Sequence, residues 1–549
     1  MKKLLLPALL ACTAAAAVLP TADAVAQAVC PAAPAPIVVQ GTITTNTTWT
    51  RNNVYLLRDF VYVENGATLT IESGTIIKGE KSTKGTLIIK QGARIEANGT
   101  ATQPIVFTSN EPAGQRARGD WGGLILCGRA PINQAGTPTI EGGVQAVYGG
   151  TDPNDNSGTL RYVRIEFPGI AFQPNSEING LTLGGVGAGT TIDYVQVAYS
   201  GDDSFEWFGG TVNAKHLVAI AATDDDFDTD FGFTGKVQYA VTLRDPNSAD
   251  VSGSTAFESD NDGQSSTLTP RTAPVFSNVT AILPNPIGAT ANFTRAMHLR
   301  RNTSISIFNS VFSGWPQGLT LDGSTTQANA TAGTLVLKNN VMAAMATPYS
   351  QQSGGTYDVA GFWTSNANTT YTNASDLGLN ADNFVFQQFY APNFTLPAAS
   401  PLVSGAAFAD AKLAGGFFDN VAYRGAFGPA GTTNWAAGWT NFNPQVTCYN
   451  VAAQTLAAKS ASDQVQGLGV FPNPAAGAAK VSFELKRPGS VTVRVLDVTG
   501  RTVAVVKENL KLGAGQQHIE LPATLKNGLY TAAVQTEETS QAVRFEVSK

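Results

Sequence analysis

The chain has 549 residues, a formal net charge of −6 and only 14% charged residues, against about a quarter in an ordinary globular protein. The acidic balance argues against a nucleic-acid partner, which needs a basic surface. Its 55 glycines, with abundant Thr, Ser and Asn, disfavour long helices and favour short strands with tight turns, and the length suggests more than one domain.

Met1-Lys-Lys3 followed by the apolar run Leu4 to Leu19 reads as a secretory signal over 1–28, with small-x-small cleavage sites at Ala22-Asp-Ala24 and Ala26-Gln-Ala28. Pro7 interrupts that run, and no later apolar run is long enough to span a membrane, so no transmembrane anchor is expected. Cys12 leaves with the signal, and Cys30, Cys127 and Cys448 remain, an odd number that cannot be fully paired within one chain. Cys30 and Cys448 flank the central region and can be joined, whereas Cys127 sits in an apolar strand and is expected to be buried. Spacing alone does not fix this connectivity.

From Val38 the chain is short strands broken by glycines. Asn65-Gly-Ala-Thr-Leu-Thr-Ile71 and Gln91-Gly-Ala-Arg-Ile-Glu-Ala97 are each a glycine turn followed by an alternating strand. From Leu160 a second series appears: Leu160 to Ile165, Ile192 to Val197, Val212 to Ile220, Val237 to Val241, Val275 to Ile282, Ile305 to Phe312 and Leu335 to Met342. Between these lie apolar-polar-apolar triplets in a common frame. Asp202 to Asp224, Phe205 to Phe227 and Glu206 to Asp228 are each 22 positions apart; Leu181 lies 24 before Phe205 and Phe257 lies 30 after Phe227. Met297-His-Leu299 and Leu319-Thr-Leu321 extend the series. Such spacing is the mark of a solenoid in which each repeat adds one coil, with at least two strands per coil. The expected fold is therefore all-β: a right-handed parallel β-helix over 29–346. Residues 347–445, rich in Asn, Phe, Trp and Gly, are expected to cap its open end. An Ala/Ser/Gln linker follows over 446–467, and the alternating strands of 468–549 read as a small Ig-like β-sandwich.

Strand alternation points the flanking residues of each triplet inward and the middle one outward. The outward column is Thr182, Glu206, Asp228, Glu258, His298 and Thr320; two places later comes a second column of Gly184, Phe208, Asp230, Asp260, Arg300 and Asp322. Carboxylates about 4.8 Å apart repel by roughly 3 kcal/mol at an effective dielectric of about 20. The ladder thus calls for a cation, a shared proton or a neighbouring base.

Three readings follow. The first is a ligand-binding groove for extracellular glycans made by Glu206, Phe208, Asp228, Asp230, Glu258, Asp260, His298 and Arg300. The second is catalysis, with Glu206, Asp228, Glu258 and His298 as candidates, since paired carboxylates act as general acid and base when their environments separate their pKa values. His298 beside Glu258 is the sharpest catalytic hint. The third is structural: a calcium site drawing on Asp202, Asp203, Asp224, Asp225, Asp226 and Asp228, or aspartates that satisfy backbone amides at coil corners. Alternation puts some of these six on opposite faces, so no single ion uses them all. No zinc, phosphate-loop or Ser-His-Asp motif is present, and three histidines leave little for zinc.

Phe471-Pro472-Asn473-Pro474, Leu496-Asp497-Val-Thr-Gly500-Arg501 and Leu525-Lys-Asn-Gly528-Leu-Tyr530 resemble the C-terminal sorting domain (type A) of substrates of the type IX secretion system of Bacteroidetes. That resemblance implies the secretion machinery as a partner, export across the outer membrane, and removal of the module with release or attachment at the surface. Val61 to Ile71, Gly119-Asp-Trp-Gly-Gly123, Tyr148 to Thr151, Asn179 to Val186 and Gly201 to Gly210 are similar to a family of secreted Bacteroidetes β-helix proteins, and support the fold more than an activity. Gly201-Asp-Asp203 also resembles the Gly-Asp-Asp of polygalacturonases, but their Gly-His-Gly and Arg-Ile-Lys partners are missing; the nearest segment to the latter is Arg164-Ile-Glu166. The leading expectation is an exported surface or secreted protein binding glycans along an acidic groove. A calcium-dependent polysaccharide lyase or glycoside hydrolase is the alternative, and a purely structural adhesin the third.

Overall fold

The computed structural model describes residues 30, 35–173, 176–284, 292–351, 355–384, 386, 392–449, 465–477, 479–497, 502–536 and 540–549. The predicted signal over 1–28, most of the linker 446–467, and Gly500 and Arg501 lie outside these.

Each apolar-polar-apolar triplet becomes one strand of a parallel sheet. Leu181–Gly184 pairs with Phe205–Phe208, then Phe227–Asp230, Thr255–Ser259, Arg295–Leu299 and Gln317–Leu321 follow in register. The second series is longer than a single face requires. Thr191–Ala198, for example, pairs with Asn213–Ile220 up to Asp193 and again from Val195, with Tyr194 left out of the ladder. Each such strand therefore turns a corner, and every central coil has three faces, where the sequence showed at least two. The corner residue adopts positive φ: 49° at Tyr162, 57° at Tyr194, 54° at His216 and 63° at Tyr239. This region costs a non-glycine residue roughly 1–2 kcal/mol. Stacking offsets it, because Tyr162–Tyr194, Tyr194–His216 and His216–Tyr239 lie 4.4, 4.1 and 5.2 Å apart between ring centroids, at about 0.5–1.5 kcal/mol per aromatic pair. Later coils place Asn278 and Asn309 at the corner, a residue type that tolerates this conformation.

The interior is one stack of inward side chains. Leu181, Leu183, Phe205, Trp207, Phe227, Phe257, Met297 and Leu299 are all fully buried in it, each stabilising the coil by about 1.5–3 kcal/mol.

The expectation of an end cap over 347–445 needs correction. Only its first part closes the solenoid: Val359 and Trp363, on the short helix Val359–Ser365, join the main core at the last coils. The remainder runs back along the third face. Phe394, Phe427 and Trp439 pack on Ala198, Val218, Ile220, Val241 and Ile282. Those strands are apolar on both sides because both sides are covered. The return is fixed by polar bonds at successive coils, from Asn309 to Ala407, Asn278 to Tyr423, Gln238 to Asp419 and Gln196 to Asn441. It ends at the first coils, where Cys448 is joined to Cys30 in a disulfide. Cys127 is buried and free.

The C-terminal module is two antiparallel sheets. Val465–Phe471, Lys480–Leu485 and Gly515–Glu520 form one; Thr502–Leu512, Gly489–Leu496, Gly528–Thr536 and Ser540–Val547 form the other. Val481, Phe483, Val493, Val534 and Phe545 share their core. Asn473 accepts from the Glu546 amide at 2.8 Å, and the Tyr530 ring lies 5.8 Å from Phe545. Pro472, Pro474 and Gly528 stand at the ends of these strands, and Asp497 follows Leu496.

Candidate functional site

The outward column forms in the expected order. Thr182 pairs with Glu206, Glu206 with Asp228, Asp228 with Glu258, Glu258 with His298, and His298 with Thr320. It is not an open groove. Glu206 is only 6% exposed and His298 only 7%, because loops rise around them. The column floors a cavity of about 250 Å³ lined by eight carboxylates, two arginines and His298. Glu141 and Asn179 close one side, and Ser252 and Gly253 another. Asn179 donates to Glu206 and, at 3.3 Å, to Glu141.

The second column contributes less. Phe208, expected to meet ligand, is 7% exposed and lies beneath the loop carrying Ile140 and Tyr148, stacked 5.5 Å from Phe231. Alternation put it on the outer side correctly, but a loop covers it, so it is not a contact surface. Asp230 accepts from the Phe231 amide at 2.6 Å, and burial pushes its carboxyl up to about 8. Neither Asp230 nor Asp260 lines the cavity; Arg300 does.

The aspartates divide by role. Asp203 accepts from the Asp225 amide at 2.7 Å, and Asp225 from the Thr255 amide at 2.5 Å. Both therefore tie successive coils together while still facing the cavity. Asp226 points the other way, paired at 2.9 Å with Arg244 in the interior; as a metal ligand it is corrected. Two groups remain whose oxygens lie within 4.8 Å of one another: Asp202, Asp203 and Asp224, and Asp203, Glu206 and Asp228. Either could hold a metal ion. Asp228 is half-buried, and its Oδ1 is shielded from solvent without a hydrogen-bond partner among the described residues.

Burial raises most of these carboxyls, and crowding raises them further. Glu206 is driven well above the usual range by burial, then by Glu141 and Asp228. Asp228 is driven up by burial, then by Glu258 and Asp225. Burial also lifts Asp203 and Asp225, with their aspartate neighbours adding to it; for Asp224, burial, Asp250 and Glu258 give about 6. Glu258 goes the other way. Burial would raise it, but His298 and Arg300 outweigh burial and hold it below its ordinary value. His298 Nδ1 lies 3.3 Å from Glu258, Nε2 lies 2.9 Å from Asp322, and Arg300 bonds Glu258 directly. Arg300 also bridges to Asp260 at 2.9 Å, joined there by Arg301 at 2.6 Å.

Several site residues escaped the sequence reading: Glu141, Asn179, Ser252 and Arg295 line the cavity. Asp322, expected in the second outward column, holds His298, a role its column position did not show. The first three sit in loops outside the repeat. Asn179 alone was signalled, standing beside the first coil of the acidic stretch. Arg164 and Glu166 do not line the cavity. They lie under the returning segment, where Tyr449 donates to Glu166 at 2.7 Å.

A parallel β-helix with an acidic cavity on one face, followed by a β-sandwich module, defines a two-part all-β protein. The chain belongs to the pectate-lyase-like β-helix domain family, whose signature matches residues 41–393, and residues 469–547 match the secretion system C-terminal sorting domain. That type IX domain directs export across the outer membrane to the cell surface or the extracellular space, through the type IX secretion machinery. Among the described residues no helix is long and apolar enough to cross a membrane. No curated protein matches the chain. Among solved structures it is similar to the Dettilon tailspike protein at 11% identity, over 60% of this chain and 63% of that one, with a TM-score of 0.23. It is also similar to the enzymatically active domain of bacteriophage CBA120 tailspike protein 2, at 11% identity over 90% and 72% of the two chains, again with a TM-score of 0.23. The chain thus spans about two thirds of the length of these relatives.

Proposed function

We propose that the protein is exported to bind extracellular glycan in this cavity. Asp203, Glu206, Asp228 and Glu258 accept hydrogen bonds from sugar hydroxyls, while Arg295 and Arg300 meet acidic substituents. The observation that supports this most is the cavity itself, about 250 Å³ and lined almost wholly by hydrogen-bonding groups. That volume is below the roughly 300–1,000 Å³ of drug-sized sites, so it suits one ring of a polymer rather than a long stretch. Calcium is the ion that the oxygen-only donor set favours. Asp203, Glu206 and Asp228 would hold it, with Asp202 and Asp224 as the adjoining group.

A second reading, cleavage of the bound polymer, is favoured by one observation. Burial and like-charged neighbours raise the carboxyls of Glu206 and Asp228, whereas His298 and Arg300 hold the neighbouring Glu258 below its ordinary value. Environments that push carboxyls apart in this way define an acid and a base. Glu206 and Glu258 are two coils apart, about 9.6 Å between backbones along the stack, just beyond the roughly 6.5–9.5 Å between carboxyl groups in inverting hydrolysis.

The full chain, applied to neutral and uronic-acid polysaccharides with calcium or with chelator, tests both readings. Retention lost in Asp228→Asn without new chain ends supports binding. New chain ends lost in Glu206→Gln and Asp228→Asn establish an enzyme. Absence of both, with a melting temperature that drops only in chelator, reduces the cavity to a structural ion site.

A further inference from the structure

Asp203 and Asp225, which face the cavity from the coil turns, accept backbone amides; Asp322 stands behind the cavity-lining His298. It follows Leu321, one coil beyond His298, and its Oδ2 lies 2.9 Å from His298 Nε2. Its Oδ1 is shielded from solvent and has no hydrogen-bond partner among the described residues. Asp203 and Asp225 accept backbone amides, whereas the side-chain bond of Asp322 goes to a ring nitrogen. The other nitrogen, Nδ1, faces Glu258 at 3.3 Å. We propose that Asp322 is a positioning residue of the cavity: by accepting from Nε2–H it fixes the His298 tautomer, so that the exchangeable proton of the pair lies between Nδ1 and Glu258.

The chemistry follows from the donor count of imidazole. A neutral ring carries one N–H and the cation carries two. With Asp322 accepting at Nε2, a neutral ring must carry its hydrogen there, and Nδ1 then presents a lone pair to Glu258. Two states share this geometry. In one, imidazolium donates from Nδ1 to the Glu258 carboxylate. In the other, a protonated Glu258 donates to Nδ1 of the neutral ring. One proton moves between Nδ1 and Oε2 and nothing else changes. The charged groups around the ring are Glu258 on the preceding coil and Asp322 on the next, with Arg300 bonded to Glu258 and Arg295 acting on Asp322; the coil neighbour Thr320 is uncharged. A carboxylate that orients a histidine in this way sets which nitrogen works. In the cavity proposed above as a glycan site, and resting on that reading for its biological use, the arrangement delivers or removes a proton at Glu258.

The chain has three histidines, so ¹⁵N-histidine labelling of the full protein gives three ring systems, His216, His298 and His518, assigned by single substitution. In the parent chain the neutral His298 ring carries its hydrogen on Nε2. In Asp322→Asn the acceptor becomes an amide and the neutral ring shifts towards Nδ1–H. Asp322→Glu restores the Nε2–H form. A purely structural Asp322 would leave the tautomer unchanged in a folded Asp322→Asn protein, and that result overturns the proposal. Should Asp322→Asn fail to fold, Glu258→Gln decides: the Nε2–H tautomer must persist while the Nδ1 signal moves, and loss of Nε2–H overturns it. Neither readout needs ligand. A parent chain that retains no polysaccharide but shows the tautomer shift therefore supports the positioning role and removes the glycan reading.

Discussion

Asp226 and Arg244 are paired at 2.9 Å inside the solenoid, and neither side chain reaches solvent. Asp226 Oδ2 and Arg244 Nε have no hydrogen-bond partner among the described residues, and the guanidinium lies 5.2 Å from the Phe293 ring. A buried pair so incompletely satisfied adds little net stability, yet breaking it strands a charge. Asp226→Ala or Arg244→Ala is expected to cost about 3–5 kcal/mol, while replacing both with apolar residues costs much less. Urea unfolding of the two single variants and the double variant measures this. Single variants within about 1 kcal/mol of the parent would show that the pair has no such role.

The returning segment gives a second prediction. Its end is held at the first coils by the Cys30–Cys448 disulfide and by Tyr449, which donates to buried Glu166 while the Arg116 guanidinium lies 5.0 Å from its ring. The Cys30→Ser/Cys448→Ser protein should lose about 2–5 kcal/mol. Tyr449→Phe should lose about 1–3 kcal/mol, because Glu166 Oε2 has no hydrogen-bond partner among the described residues and Oε1 would keep only the Arg164 guanidinium at 3.5 Å. If the two changes loosen one anchor, their effects will not add. Strict additivity in unfolding midpoints would show two independent contacts.

The sequence made the register of the acidic column legible because strand alternation has a fixed period, and a 22-residue repeat carries Glu206 onto Asp228 with no slip. It could not show what lies on top of a column. Phe208 has the expected outward parity, yet the loop holding Tyr148 covers it, and no period relates that loop to the repeat. Asp226 failed for a different reason. Three consecutive aspartates at a corner share no single face, and their side depends on where the turn ends. The third face was hidden because Tyr194 and His216 turn the corner at positive φ without a glycine to mark it. His298 beside Glu258 was readable from the triplets, whereas Asp322 as its second partner needed the side-chain geometry.

The raised carboxyls set a pH dependence with a definite sign. A carboxyl whose folded pKa lies above its unfolded value binds its proton more tightly when folded. Its contribution to stability is complete below the unfolded value, near about 4, and is lost as pH rises through the folded value. Asp224 at about 6 and Asp230 at about 8 bound that window, and Glu206 and Asp228 are raised in the same direction. Glu258 and Asp322, both lowered, contribute oppositely and lose stability only as pH falls below the usual carboxylate range. In chelator the melting temperature should therefore fall from pH 5 to pH 8. Asp228→Asn should flatten that slope and melt higher than the parent at pH 8. A melting temperature rising steadily across this range would contradict the assignment.

Calcium binding, if it occurs where proposed, must reverse that slope. An ion held by Asp203, Glu206 and Asp228 requires these groups ionised, so it competes with the protons that burial favours. At pH 8, calcium at about 100 times its dissociation constant should stabilise the fold by about 2.7 kcal/mol. At pH 5 the gain should be much smaller, because protons occupy the same oxygens. Asp228→Asn removes an unpaired ligand oxygen and should abolish the gain. Asp230→Asn lies outside the cavity and should leave it intact. Calorimetry of the parent and both variants at the two pH values discriminates: an equal calcium effect at pH 5 and pH 8, or one that survives Asp228→Asn, places the ion elsewhere.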